Sequence, residues 1–158
     1  PATRYEDDLY TWVQEQVALL RAGKLSEVDA SNVAEELSDV GRALVDELEE
    51  ALVELTKNLL IWGGQDQGRS RNHEIMVRMQ RRRIRQVLDE NPGMAAVLPE
   101  AVEEGYALGR LRALGALDLP DEALPEACPY TFDDLMTRKI VCEAKRSSRR
   151  RKHLRTQP

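Results

Sequence analysis

Few side chains in this sequence are of types that bind metals, relay protons or attack carbonyls. His73 and His153 are the two histidines, and Cys128 and Cys142 are the two cysteines. A histidine titrates near neutral pH and could exchange protons with Glu35, Glu36 or Asp39 if the helices that carry them pair. An enzyme reading therefore centres on a pocket of Trp12, Trp62 and His73. A lone histidine on a helical stripe fits a packed core group better. Di-iron bundles place a Glu three residues before each ligand histidine, whereas here those positions hold Ser70 and Arg150. Cys128 precedes Pro129 with no adjacent base, as suits a buried structural thiol. Two separated cysteines without a CxxC fit free thiols in a reducing, cytoplasmic setting. Gly63-Gly64 lacks the following lysine of a phosphate loop. These residues predict no catalytic, metal or cofactor site, and the reading leans towards a non-enzymatic protein.

Charge is the stronger signal. The chain of 158 residues carries 23 basic and 28 acidic side chains, net −5, and they fall in blocks. Net charge is −10 over residues 1–68, +6 over 69–88, −9 over 89–137 and +8 over 138–158. Arg78, Arg81, Arg82, Arg83 and Arg85 dominate the second block, and lying against acidic neighbours would relieve the self-repulsion of both. The last block contains Arg138, Lys139, Lys145, Arg146, Arg149, Arg150, Arg151 and Lys152, the candidate contacts for a partner or for nucleic acid.

These side chains must be positioned by helices. Val33, Leu37, Val40, Leu44, Leu48, Ala51, Leu55, Leu59 and Trp62 recur every three or four residues, which predicts one helix from Asp29 to Trp62 with a single apolar face. Asp29 can cap it. A first helix is predicted over Asp8 to Arg21, with Trp12 and Gln16 inward and Gly23 as its stop. The short loop after Gly63 folds a third helix, about Ser70 to Asp89, back antiparallel to the second. Its stripe is His73, Val77, Gln80, Ile84 and Val87. Pro99 opens a fourth helix in which Ala101, Gly105, Gly109 and Ala113 form a small-residue ridge, suited to close packing within the bundle or across a homodimer interface. A proline-punctuated strap follows, and Thr131 with Asp134 has capping-box spacing. No apolar run is long enough to span a membrane, and no secretory signal is apparent.

Several blocks along the chain coincide with a family pattern. They are Tyr5, Asp8, Tyr10, Trp12, Gln16 and Leu19-Leu20-Arg21-Ala22-Gly23, then Asp29, Asn32, Ala34-Glu35-Glu36-Leu37 and Gly41-Arg42. Leu59-Leu60-Ile61-Trp62, Arg69-Ser70, Arg82, Ile84, Leu88, Pro92, Leu98-Pro99, Tyr106 and Cys128-Pro129-Tyr130-Thr131 follow in order. Over about residues 5 to 137 this set resembles the uncharacterised bacterial domain-of-unknown-function family numbered twenty-nine. The resemblance implies an all-helical domain and brings no agreed activity. Two positions depart from the pattern: Asn58 stands where the resemblance implies a histidine, and Asn72-His73 where it implies Ser-Trp.

The sequence thus predicts an all-α fold: an antiparallel bundle of about four main helices with a C-terminal strap, forming one domain over residues 1–137, and a basic extension over 138–158. The leading functional reading is an interaction module that binds an unidentified protein partner, with a homodimer among the expectations. The alternative is a nucleic-acid-associated protein that grips phosphates through the tail and the Arg-rich third helix.

Overall fold

The structure, a computed structural model, describes residues 2–64 and 69–140. Among them there is no strand. The main helices are α1 (Leu9–Arg21), α2 (Ala30–Gly63), α3 (Arg71–Glu90) and α4 (Leu98–Leu117), followed by the short α5 (Phe132–Thr137). Local chemistry marks the ends. Asp8 and Asp29 accept from the amides of Thr11 and Asn32 at the starts of α1 and α2, and Gly23, at φ 70°, takes the left-handed conformation that ends α1. Thr131 and Asp134 form the reciprocal capping box of α5. A 3-10 turn over Pro92–Ala96, absent from the sequence reading, buries Met94 between α3 and α4.

α2 is the central element, packed on both α3 and α4. Successive helices reverse direction. Arg69 Nε donates to the Trp62 carbonyl at one end of the α2/α3 pair, and Arg83 meets Glu47 at the other, so α3 runs antiparallel to α2. α4 consequently runs parallel to α2: Gly105 lies on Leu52, Gly109 on Thr56 and Leu117 beside Gly64. The core between these helices contains Leu48, Leu52, Leu55, Leu59, Val77 and Ile84, and Leu135 of α5 joins it. The small-residue ridge of α4 is spent here. A Cβ on Gly109 would stand 2.8 Å from both the Thr56 Cβ and the Val53 carbonyl oxygen, and one on Gly105 2.6 Å from the Leu52 Cβ. A homodimer through this ridge is therefore excluded, because the chain's own α2 occupies it.

α1 lies apart from that core. Trp12 is 2% exposed and its indole N–H donates to Asp29 Oδ2 at 3.3 Å, while Gln16 Oε1 accepts from the Asp29 amide at 2.8 Å. Tyr5 stacks edge-on to Trp12 and donates to Glu36. These contacts hold α1 at the N-terminal end of α2, whereas α3 and α4 cover α2 only from about Leu44 onward. Every residue from Leu37 to Ala43 is exposed. Leu37 and Val40, expected on the buried stripe, are 68% and 61% exposed. The reason is length: α2 is 34 residues and α3 and α4 are 20 each, so its first turns run past both.

The strap is fixed by polar groups of α4 as well as by apolar anchors. Tyr106 Oη donates to the Pro125 carbonyl at 2.6 Å, and Arg110 donates to the carbonyls of Asp121 and Leu124. On the other side of α4, Arg112 bridges Glu50 and Glu54, and Lys57 also reaches Glu54. Burial alone would raise the Glu54 carboxyl, but hydrogen bonds from Lys57 and Arg112 outweigh it and hold Glu54 below the usual carboxylate range.

Two outcomes test this packing. Gly109→Ala should lower stability by about 1–3 kcal/mol through overpacking. Gly115→Ala, on the same helix with nothing within 4 Å of the added Cβ, should raise it by up to about 1 kcal/mol; urea denaturation of both variants reads the contrast. Because the folded Glu54 is more acidic than the unfolded group, its contribution is fully present above the unfolded value of about 4.3 and is lost as pH falls through the folded value. Glu54→Gln should then cost about 0.5–1 kcal/mol at pH 7, with the gap to the parent protein closing below about pH 4.

Candidate functional site

The predicted pocket of Trp12, Trp62 and His73 does not exist. Trp12 sits against Asp29 at the start of α2 and Trp62 lies at its end, about 50 Å away at 1.5 Å per residue. His73 belongs to the Trp62 end, because the short α2–α3 connection puts the first turn of α3 there. Its Nδ1 lies 2.8 Å from the Ser70 hydroxyl, whose oxygen also caps α3. Glu35, Glu36 and Asp39, the carboxylates expected to face it, lie near the opposite end of α2. Asn58, at the position where the resemblance implies a histidine, is 3% exposed and donates to the Glu54 carbonyl one turn earlier. The half-buried Cys128 thiol donates to the Tyr130 carbonyl, and burial pushes its pKa up, which disfavours the thiolate a nucleophile needs. Among the described residues, no group of three or more His, Cys, Asp or Glu side chains is placed to hold a metal ion. None of their helices is long and apolar enough to cross a membrane.

The arginines of α3 behave differently from the expectation that acidic neighbours neutralise them. One of the five, Arg83, pairs with a carboxylate, that of Glu47 at 3.2 Å. Arg81 instead donates to backbone: Nε to the Leu135 carbonyl and a terminal nitrogen to the Arg138 carbonyl, each at 2.8 Å. Those are carbonyls at the end of α5, which no further turn of helix satisfies. Burial, then the nearby Arg85 charge, lowers the Arg81 pKa. Arg78, Arg82 and Arg85 are exposed and have no carboxylate partner among the described residues. Their failure to pair follows from orientation. α3 turns its apolar stripe to α2, so these arginines point away from the acidic residues of α2 and α4.

The outward face of α3 is also apolar in part. Ile75 is 39% and Met79 55% exposed, and both border an open groove of about 630 Å³ that Arg78, Arg81, Arg82 and Arg85 line from α3 and Met136 from α5. Residues at i, i+4 and i+7 share one helical face, so Arg78, Arg82 and Arg85 rise along the groove in steps of about 6 and 4.5 Å beside the Ile75/Met79 strip. Such a surface can accept carboxylate or phosphate oxygens in bidentate geometry while covering apolar side chains. The arginine spacing was legible in the sequence. The part played by Ile75 and Met79 was missed, because both sit beside the stripe and read equally well as core.

Of the tail candidates, Arg138 belongs to the folded body: it stacks over the Tyr130 ring and donates to its hydroxyl at 3.0 Å. Lys139 is exposed and Ile140 is 8% exposed within the main core. Lys145, Arg146, Arg149, Arg150, Arg151 and Lys152 lie outside the described residues.

The distinction between the arginines predicts unequal effects on stability. Arg81→Ala should cost about 1.5–3 kcal/mol by stripping charged donors from the end of α5. Arg78→Ala, Arg82→Ala and Arg85→Ala should each stay within about 0.5 kcal/mol, read from urea midpoints at constant slope.

No curated protein and no solved structure matches the chain. The sequence model of one family spans residues 4–141, covering α1 to α5 and the whole groove, and on that match the chain belongs to the family described as Domain of unknown function DUF29.

Proposed function

We propose that this protein is a non-enzymatic interaction module whose α3 groove receives an acidic, amphipathic segment of a protein partner. The observation that carries the reading is the set of Arg78, Arg82 and Arg85, without carboxylate partners among the described residues, beside exposed Ile75 and Met79. An amphipathic helix laid in the groove would cover the two apolar side chains and Met136 and bring its own carboxylates to the arginines. Each such pair gains directionality from the guanidinium fork.

Nucleic acid is the second reading, supported by the same unpaired arginines and by the basic residues that follow Ile140. Phosphate contacts would engage the arginines but leave Ile75 and Met79 without a partner. The acidic blocks on either side of α3 would also repel a polyanion. Chemistry beyond binding has no support from His73 or Cys128, each of which is used locally.

Fluorescence anisotropy separates the two readings. The probes are a labelled helical peptide with leucines on one face and glutamates flanking them, and a labelled short DNA duplex, each titrated with the full chain at about 50 and 200 mM salt. The peptide should bind and weaken at least about tenfold, or 1.4 kcal/mol, in the Arg78→Glu/Arg82→Glu variant. Duplex binding that falls steeply with salt and disappears in that variant would transfer the groove to nucleic acid. Binding of neither probe would overturn the docking reading.

A further inference from the structure

The chain itself carries a segment with the chemistry this groove requires. Between the α1 contacts and the packed body, α2 projects as a bare helix, residues 37–43, on which Leu37 and Val40 share one face at 68% and 61% exposure. Within the first half of α2, residues 30–47, five carboxylates and the single cation Arg42 leave a net charge of −4. Asp39, between the two exposed apolar residues, pairs with Arg42, Glu36 accepts from Tyr5 and Glu47 pairs with Arg83. An exposed apolar stripe on a helix segment of net charge −4 is the complement of the apolar strip beside arginines on α3.

One molecule cannot satisfy both surfaces. α2 is a single uninterrupted helix over 34 residues, and α3 is fixed against its far part by the Val77, Ile84 and Leu48 packing and by the Arg83–Glu47 pair. In that antiparallel register Met79 lies level with about residue 51, so the stalk and the groove stand about 17 Å apart along the axis. An uninterrupted helix holds the stalk and the groove at that separation.

Resting on the reading of the groove as a docking site, we infer that the stalk of one molecule, centred on Leu37 and Val40, docks into the α3 groove of a second copy of the same chain. The contact is heterologous: the two partners use different patches, so either two molecules exchange stalks reciprocally or the contact propagates. Leu37 and Val40 meet Ile75 and Met79, and the net negative first half of α2 that carries them faces Arg78, Arg82 and Arg85. This surface is separate from the Gly105/Gly109 ridge, which is buried inside each chain.

Complementation tests it with the full-length chain. Sedimentation equilibrium of the wild type up to about 100 µM should give a mass that rises with concentration above the 17.9 kDa of one chain. The stalk variant Leu37→Arg/Val40→Arg and the groove variant Arg78→Glu/Arg82→Glu should each stay at 17.9 kDa. All four positions are exposed, so circular dichroism and thermal melts should match the wild type. Mixed in equal amounts, the two variants should form a two-chain complex, because the intact groove of the first accepts the intact stalk of the second. Wild type that remains monomeric, either variant keeping the wild-type mass, or a mixture that stays monomeric would each overturn self-docking. A monomeric wild type that still binds the acidic helical peptide would refute the second copy as occupant and leave the groove reading intact; loss of both removes both.

Discussion

The backbone of α4 can approach α2 closely because Gly105 and Gly109 present no side chain to Leu52, Val53 and Thr56. Much of the remaining architecture follows from that contact. With α4 lying parallel and tight along the C-terminal half of α2, Arg112 reaches Glu50 and Glu54, and Tyr106 and Arg110 project towards the strap and hold its carbonyls. α3 is left the other flank of α2. Interiors pack at crystal-like density, so a single methyl group on this seam pushes α2 and α4 apart. The same contact removes the one obvious small-residue surface from any role between molecules.

Electrostatics follow from this geometry rather than from composition. Blocks of opposite charge alternate along the sequence, yet proximity in sequence places few of them in contact. α3 turns Val77, Ile84 and Val87 to α2, and a helix that buries one face must present its other faces to solvent. Arg83 lies at the margin of the buried face and finds Glu47; Arg81 finds the end of α5; Arg78, Arg82 and Arg85 find no carboxylate among the described residues. A positive strip persists on a protein of net charge −5 because the helix that carries it is oriented by its apolar residues, whose burial outweighs the modest attraction of exposed ion pairs.

What the sequence disclosed divides along the same line. Helix existence, the Asp29 cap, the Gly23 stop and the Thr131/Asp134 capping box are local chemistry, and each is legible from a few adjacent residues. So is the antiparallel return of α3, which a short connection imposes. Periodicity, however, reports which face of a helix is apolar and not where its neighbours end. Leu37 and Val40 share the stripe of Leu48 and Leu55 but lie beyond the reach of α3 and α4. The Trp12, Trp62 and His73 pocket failed for a related reason: α1 docks Trp12 against Asp29 at one end of α2, while Trp62 and the start of α3 lie at the other, the length of α2 away. The unpaired arginines were invisible to charge counting, which treats a block as a whole and cannot tell inward from outward positions.

The exposed stretch of α2 shows how a helix can be kept where nothing packs on it. Residues 37–43 are too few to hold a helix in water by themselves, since initiating one is costly and isolated segments below about 12 residues are marginal. Here both neighbours are already helical: Trp12 and Gln16 fasten the Asp29 end, and the core begins again at Leu44. Propagation through the gap therefore proceeds without a new nucleus. Gly41 at its centre contributes no packing and lowers helix propensity by about 1 kcal/mol relative to alanine, which makes this the stretch of α2 with least to hold it. A bridge selected for rigidity alone would be better served by alanine, glutamate and lysine than by glycine, leucine and valine. The residues present instead combine local weakness with apolar surface, a combination that stability within one chain does not explain and that contact with another surface would.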